Sequence, residues 1–143
     1  MRISTLLADK GSAVATIRGD ATVAEAVEAL GRHHVGALVV SGDGRTIDGI
    51  VSERDVVRKM GERGEAVVHD LVSSIMSSTV YTCSPDDDTE SLMRTMTERR
   101  IRHVPVVEGD HLCGIVSIGD VVKDRIGELE KDRTELIEYI TAR

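Results

Sequence analysis

The chain has no tryptophan, no phenylalanine and two tyrosines, so aromatics make up 1% of its 143 residues. Burial therefore falls to Val, Ile, Leu, Met and Ala, and a site that stacks a base between protein rings is nearly excluded. Cysteine is equally scarce. Cys83 and Cys113 form no Cys-x-x-Cys pairing, which suggests neither a zinc site nor a disulfide framework and leaves them as two small core residues of a reducing compartment. Positive charge is the minority sign, with 18 Lys and Arg against 25 Asp and Glu and a net charge of −7. A nucleic-acid binder would need a basic stripe to displace counterions, so that class is set aside. No apolar run approaches the roughly 20 residues needed to span a bilayer, and the N-terminal apolar stretch is too short for a secretory signal. The expectation is a soluble, cytoplasmic protein that binds no membrane. Neither a Gly-x-x-x-x-Gly-Lys loop nor a nucleophile elbow occurs.

What the chain does have is a repeat. Gly49-Ile50-Val51-Ser52-Glu53-Arg54-Asp55-Val56-Val57 returns as Gly114-Ile115-Val116-Ser117-Ile118-Gly119-Asp120-Val121-Val122. A β-branched run that ends in Ser and places Asp three residues later predicts a strand running straight into a capped helix. Two such turns facing each other could frame a ligand cleft.

The rest of the chain doubles in the same order. Ile3–Leu7 and Val72–Met76 each have the spacing of a short amphipathic turn, and each precedes a strand-like stretch, 14–17 and 80–83. A helix follows in both halves. Val23, Ala26, Val27 and Leu30 form one apolar stripe behind a Thr22/Glu25 capping box, and Thr89, Leu92, Met93 and Met96 form the other behind Asp88 as N-cap, with Pro85 marking the turn. Next come strands over 35–40 and 101–107, then turns at Ser41–Gly44 and Glu108–Asp110 that join each to the doubled motif as a hairpin. The repeat is thus strand, helix, strand, strand, helix, about 65 residues long, and too small to hide its own sheet face alone. The fold class is α/β in the α+β sense: two β-α-β-β-α repeats packed with an internal pseudo-twofold into one compact unit. Its parts are 1–62, 70–128 and a C-terminal helical extension, 129–143. Gly61–Glu65 reads as a polar linker between copies. Val122, Ile126, Leu129, Leu136, Ile137 and Ile140 form a loosely helical stripe, longer than the repeat requires. Such a stripe covers another chain or folds back on its own domain.

Several residues admit two readings on pattern alone. Ser52-x-x-Asp55 and Ser117-x-x-Asp120 are plain capping arrangements as well as candidate ligand contacts, and both roles can coexist at Ser. Arg102 and His103 lie on a strand otherwise built for burial, where a basic pair is hard to place in a dry core. A phosphate grip competes there with a solvated edge or a salt bridge. His33 and His34 suit a solvated helix end better than a metal site.

The doubled Gly-Ile-Val-Ser-x-x-Asp, the strand Ile101-Arg102-His103-Val104-Pro105-Val106 and the Thr-bearing first strand of each half resemble a tandem pair of CBS domains, the Bateman module, over nearly all of residues 1–130. The resemblance implies a regulatory sensor and no enzyme: a cleft between the copies for an adenosine nucleotide, AMP first, with ADP, ATP, NAD(H) or S-adenosylmethionine as further ligands. It also implies a disc-like homodimer and a regulated protein whose identity is unknown. Carried over residue by residue, it puts Ser52, Asp55 and the adjacent Arg54 in one site with Thr82, Cys83, Ile101, Arg102, His103 and Pro105. It puts Ser117 and Asp120 in a second site with Thr16, Ile17, Val35, Gly36 and Ala37. The two Asp residues would accept ribose hydroxyls, and Ser at a helix N-terminus would favour an anion. Because the first copy has Gly36 and Ala37 where the second has Arg102 and His103, the Asp55 site is expected to favour phosphate. The competing reading is a structural or interaction protein with vestigial clefts, in which the C-terminal helix matters most.

Overall fold

Each half is built from the same local signals. The structure, a computed structural model, describes residues 1–142. Helix α2 (Val23–His33) starts where the Thr22 hydroxyl accepts from the Glu25 amide while the Glu25 carboxylate accepts from the Thr22 amide. Its counterpart α5 (Thr89–Arg99) starts at Asp88, which accepts from the Ser91 amide. Both helices end on a left-handed residue, His34 at φ 53° and Arg100 at φ 56°, which turns the chain sharply into the following strand. The exposed His33 and His34 thus sit at a helix end.

The first sheet runs β1 (Thr16–Ile17), β2 (Ala37–Val40), β3 (Gly49–Ser52), with β1 parallel to β2 and β3 antiparallel to it. In the second half β4 (His103–Glu108) and β5 (His111–Ser117) form the antiparallel hairpin. The stretch over 80–83, expected as a strand, is reduced to one parallel bridge between Cys83 and Val106. Registers match across the repeat: Ala37 faces Ser52, and His103 faces Ser117. Each hairpin then enters its helix without a loop, α3 (Glu53–Arg63) after Ser52 and α6 (Ile118–Thr141) after Ser117.

The cores are not assembled from contiguous sequence. Helix α4 (Val72–Ile75) lies between the repeats and buries Val72 and Ile75 in the first core with Val23, Leu30, Leu38 and Val51. Helix α1 (Ile3–Lys10), at the start of the chain, buries Ile3, Leu6 and Leu7 in the second core with Leu92, Met96, Val104 and Val116. The two short helices are thus exchanged between halves. The leading glycines of the doubled motif make room for this. A Cβ on Gly114 would lie 2.8 Å from Leu7 Cδ1, and one on Gly49 would lie 2.6 Å from Met76 Sδ and 2.8 Å from the Ser77 carbonyl.

The stretch expected as a linker, Gly61–Glu65, is taken up by regular structure. Helix α3 continues to Arg63, a 3-10 helix (Gly64–His69) follows, and Val67 within it is fully buried in the first core. Beyond the second repeat α6 continues as one uninterrupted helix. Its apolar stripe is open to solvent, from Val122 at 41% to Ile140 at 61% exposed.

Candidate functional site

The doubled motif forms a capping box in both copies. Ser52 caps α3: its hydroxyl accepts from the Asp55 amide at 3.3 Å, while its own amide and hydroxyl donate to Asp55 Oδ2 at 2.8 and 3.0 Å. Ser117 caps α6 likewise, accepting from the Asp120 amide at 3.1 Å and donating its amide to Asp120 Oδ2 at 2.9 Å. The capping reading and a ligand role therefore meet at the same atoms. In Asp55 one carboxylate oxygen carries the cap and Oδ1 takes no hydrogen bond among the described residues.

The two halves meet beside these caps. Within each half the start of the capped helix is tied to its own hairpin, the Glu53 amide donating to the Gly36 carbonyl and the Ile118 amide to the Arg102 carbonyl, at 3.0 and 2.8 Å. At the seam between the halves the His103 ring lies against Gly36, where a Cβ would come within 3.1 Å of the ring. A cleft of about 500 Å³ opens there, a volume in the usual range for a small-molecule site. Its walls combine Ser52, Asp55, Arg102 and His103 with Gly36, Ala37, Arg54 and Ile101, and add Ile50, Glu53, Val57, Arg58 and Arg100. A second lobe of about 330 Å³ adjoins it, sharing Arg54, Arg100, Ile101 and Arg102.

Charge in the cleft is lopsided. Arg54, Arg58, Arg100 and Arg102 converge on it, and among the described residues none of the four takes part in an ion pair. Four uncommitted guanidiniums facing the free oxygen of Asp55 and the Glu53 carboxylate make a site with room for a dense anion beside acceptors for hydroxyl donors. Apolar surface from Ile50, Val57 and Ile101 lies alongside. His103 completes the wall as a neutral group. Burial pushes its pKa below the ordinary value, the nearby Lys10 and Arg102 act in the same direction, and Glu53 and Asp120 oppose them only in part.

This placement differs from the carried-over pairing in three respects. Gly36 and Ala37, assigned to the Asp120 site, line the Asp55 cleft instead, because the seam between β2 and β4 belongs to both halves. Cys83 is buried in the second core, where desolvation first, then Asp87 and Cys113, push its thiol up to about 12. Thr82 is exposed beside it, Pro105 is buried in β4, and none of the three lines the cleft. Thr16 is exposed on β1, while Ile17 and Val35 pack against the first core. At the second motif the Lys10 ammonium, from α1, donates to Asp120 Oδ2 at 2.5 Å and to the Ile115 carbonyl at 2.7 Å.

Residues that sequence reasoning passed over therefore include Lys10, Arg58 and Arg100. Arg58 stands one helical turn after Asp55 and shares its face, a signal that was available. Arg100, at the left-handed end of α5 beside Ile101-Arg102, lines the cleft in the structure. Nothing local marks Lys10.

A model of the CBS domain matches this chain twice, over residues 11–62 and 72–127. The chain belongs to the CBS domain family. This CBS pair is 38% identical over 125 residues to the mitochondrial CBS domain-containing protein CBSX3 of Arabidopsis thaliana, covering 85% of this chain and 61% of that relative. It thus spans less than two thirds of that protein's length. Its fold superposes on the crystal structure of a CBS-domain-containing protein from Agrobacterium tumefaciens with a TM-score of 0.84 at 42% identity, over 87% of this chain and 99% of the other. At 20% identity the same fold, with a TM-score of 0.79 over 90% of this chain and 98% of the other, is that of a CBS domain pair crystallised with 5′-methylthioadenosine and S-adenosyl-L-methionine. Among the described residues no helix is long and apolar enough to cross a membrane.

Proposed function

We propose that this CBS pair is a non-catalytic regulatory module that binds an adenosine nucleotide, AMP foremost, in the Asp55 cleft and passes the occupancy on to a partner protein. The observation that carries this reading is the convergence of four unpaired arginines on the cleft that holds the free oxygen of Asp55. An adenosine nucleotide needs cations for phosphate, a carboxylate for the ribose diol and an apolar slot for the base, and the cleft presents all three. The adenosyl ligands of the 20% identical CBS pair agree with the adenosine part of the reading. Arginines in excess of carboxylates favour a phosphorylated ligand over an uncharged nucleoside.

In this reading the protein is a cytoplasmic homodimer, and the exposed seam of α6 supports self-association. Ligand binding shifts the partner only to the extent that the two conformations differ in affinity for the nucleotide. Calorimetric titration of the folded protein with AMP, ADP, ATP, NADH and S-adenosylmethionine tests the proposal. Saturable heat is expected with at least the adenosine phosphates, and no heat with any of the five sinks it.

A further inference from the structure

The exchange of α1 and α4 between the halves is unequal at one place. Helix α4 has four residues and its chain then turns away, Ser77 pairing with Ile50. Helix α1 has eight and runs a full turn further along the second repeat, ending at Lys10. When Ile3 is aligned with Val72, the position matching Lys10 is Thr79, which carries no charge. One copy of the doubled motif therefore receives a cation from the exchanged helix and the other does not.

That cation is firmly held. Its side chain is 31% exposed and that of Asp120 is 26% exposed, so the pair is shielded on most sides. Besides Asp120 Oδ2, the ammonium reaches the Ile115 carbonyl of the strand leading into the motif. Burial alone would raise the Asp120 pKa, but the hydrogen bond from Lys10, helped by the Ser117 amide and hydroxyl, holds it below the ordinary value. Gly11, at φ 99°, follows Lys10 and starts the crossing to β1. The Lys10 backbone is fixed on its other side by Leu7, packed against Gly114.

We propose that Lys10 plugs the second nucleoside position: its ammonium is paired with the carboxylate that would receive a ribose diol and compensates its charge, so that the chain takes its nucleotide at the Asp55 cleft alone. This rests on the reading of Asp55 as a ribose acceptor and extends it to the regulation of the paired site. A ligand that takes up the Asp120 carboxylate has to separate a shielded ion pair and leave the ammonium without its partner, whereas one entering at Asp55 meets a carboxylate that carries no cation among the described residues. The asymmetry of the pair thus comes from the length of one exchanged helix.

The test is titration calorimetry with AMP, ADP and ATP on the wild-type chain and on Lys10→Met and Lys10→Gln, both of which keep a long stem without the charge. Removing the plug is expected to raise the stoichiometry from about one nucleotide per chain to about two, since the Asp120 carboxylate is then left without its counter-ion. The added site should disappear in Lys10→Met/Asp120→Asn and survive in Lys10→Met/Asp55→Asn. A wild-type stoichiometry near two, an unchanged stoichiometry in both Lys10 variants, or weaker binding in them overturns the plug while leaving the Asp55 cleft intact as a nucleotide site. No heat in any of these proteins removes both proposals. Should the variants fail to fold, the side-chain nitrogen resonance of Lys10 in the wild-type protein decides. It is expected to stay in place as AMP saturates the first cleft, and its movement with the first equivalent of AMP overturns the plug.

Discussion

The His103 ring faces Lys10 from α1, Glu53 from α3, Asp120 from α6 and Arg102, the residue just before β4. Because its folded pKa lies below the unfolded value of roughly 6.5, the folded state favours the neutral ring. Stability tied to it is complete above that value and is lost as pH falls through the window beneath it. The melting temperature of the free protein should therefore drop between about pH 7 and pH 5.5, and drop less in His103→Gln. Nucleotide binding reverses the local field, since a phosphate beside the ring favours the imidazolium. Binding near pH 6.5 should then take up a proton, so affinity strengthens as pH falls from about 7.5 toward 6.5. Calorimetry in buffers of different ionisation enthalpy measures the net proton change, to which the AMP phosphate, with its second pKa at about 6, also contributes, and an equal change in wild type and His103→Gln would show that phosphate does not reach His103. Arg102 belongs to the same corner. Arg102→Ala or Asp55→Ala should weaken AMP binding by about 10- to 100-fold, the usual worth of a charge-assisted contact, and Asp120→Ala by much less. Equal losses at the two aspartates would contradict the asymmetry of the clefts. In the sequence Arg102 and His103 stood out because a basic pair breaks a buried strand pattern, and Asp55 because its motif is doubled, and all three line the same cleft. The placement of Cys83 and Thr82 was not legible, because alignment to a repeat says which strand a residue belongs to and nothing about which way it faces once that strand shrinks to a single bridge.

Among elements, the strand-to-helix turns were readable almost atom by atom. Ser at the last strand position and Asp three residues later predicted reciprocal caps, and both boxes are formed. Removing the Ser52 or Ser117 hydroxyl by substitution with Ala should lower stability by about 1 kcal/mol each in denaturant melts. The glycine that opens each motif carries a larger constraint, invisible from the motif itself. At Gly49 a methyl group would meet the Ser77 carbonyl, a backbone atom tied into a bridge with Ile50, whereas at Gly114 it would meet only the branch atoms of Leu7. Gly49→Ala should accordingly cost more than Gly114→Ala, with the former in the range of about 1–3 kcal/mol expected of overpacking. The reverse order in melts of the two variants would mean that the α4 junction yields more readily than α1. The linker read over Gly61–Glu65 from its glycines and charges takes in the end of α3 and the start of the 3-10 helix, and Val67, just beyond it, is a full member of the first core. A 3-10 turn has too few residues to display a periodicity, so a single buried valine in a polar stretch leaves no pattern to find.

For the whole molecule, two features of the sequence lead in different directions. The exchange of α1 and α4 could not be read from it, because a short amphipathic turn shows that one face is buried and not against which half. That exchange is what brings Lys10 to Asp120 and binds the halves to each other. The C-terminal helix, by contrast, announced itself by an apolar stripe, and the structure leaves the stripe bare. Val122, Ile126, Leu129, Leu136 and Ile140 alternate steps of four and three residues, apart from one place in the pattern where Arg133 stands. That is the seam of a two-stranded coiled coil with a single charged interruption. From Leu129 onward every described residue of α6 is exposed, so this part of the helix contributes little to the core of its own chain. A chain ending at Glu130 should therefore unfold at nearly the same denaturant midpoint as the full one while losing self-association. Sedimentation equilibrium should find the full chain dimeric and the shortened chain, or Leu136→Asp/Ile140→Asp, shifted toward monomer, since a charge at a seam position removes apolar contact from both strands. If the shortened chain remains dimeric, the halves associate through the repeats and α6 is free for another protein. If the full chain is monomeric at concentrations where coiled coils of this length pair, self-association is excluded.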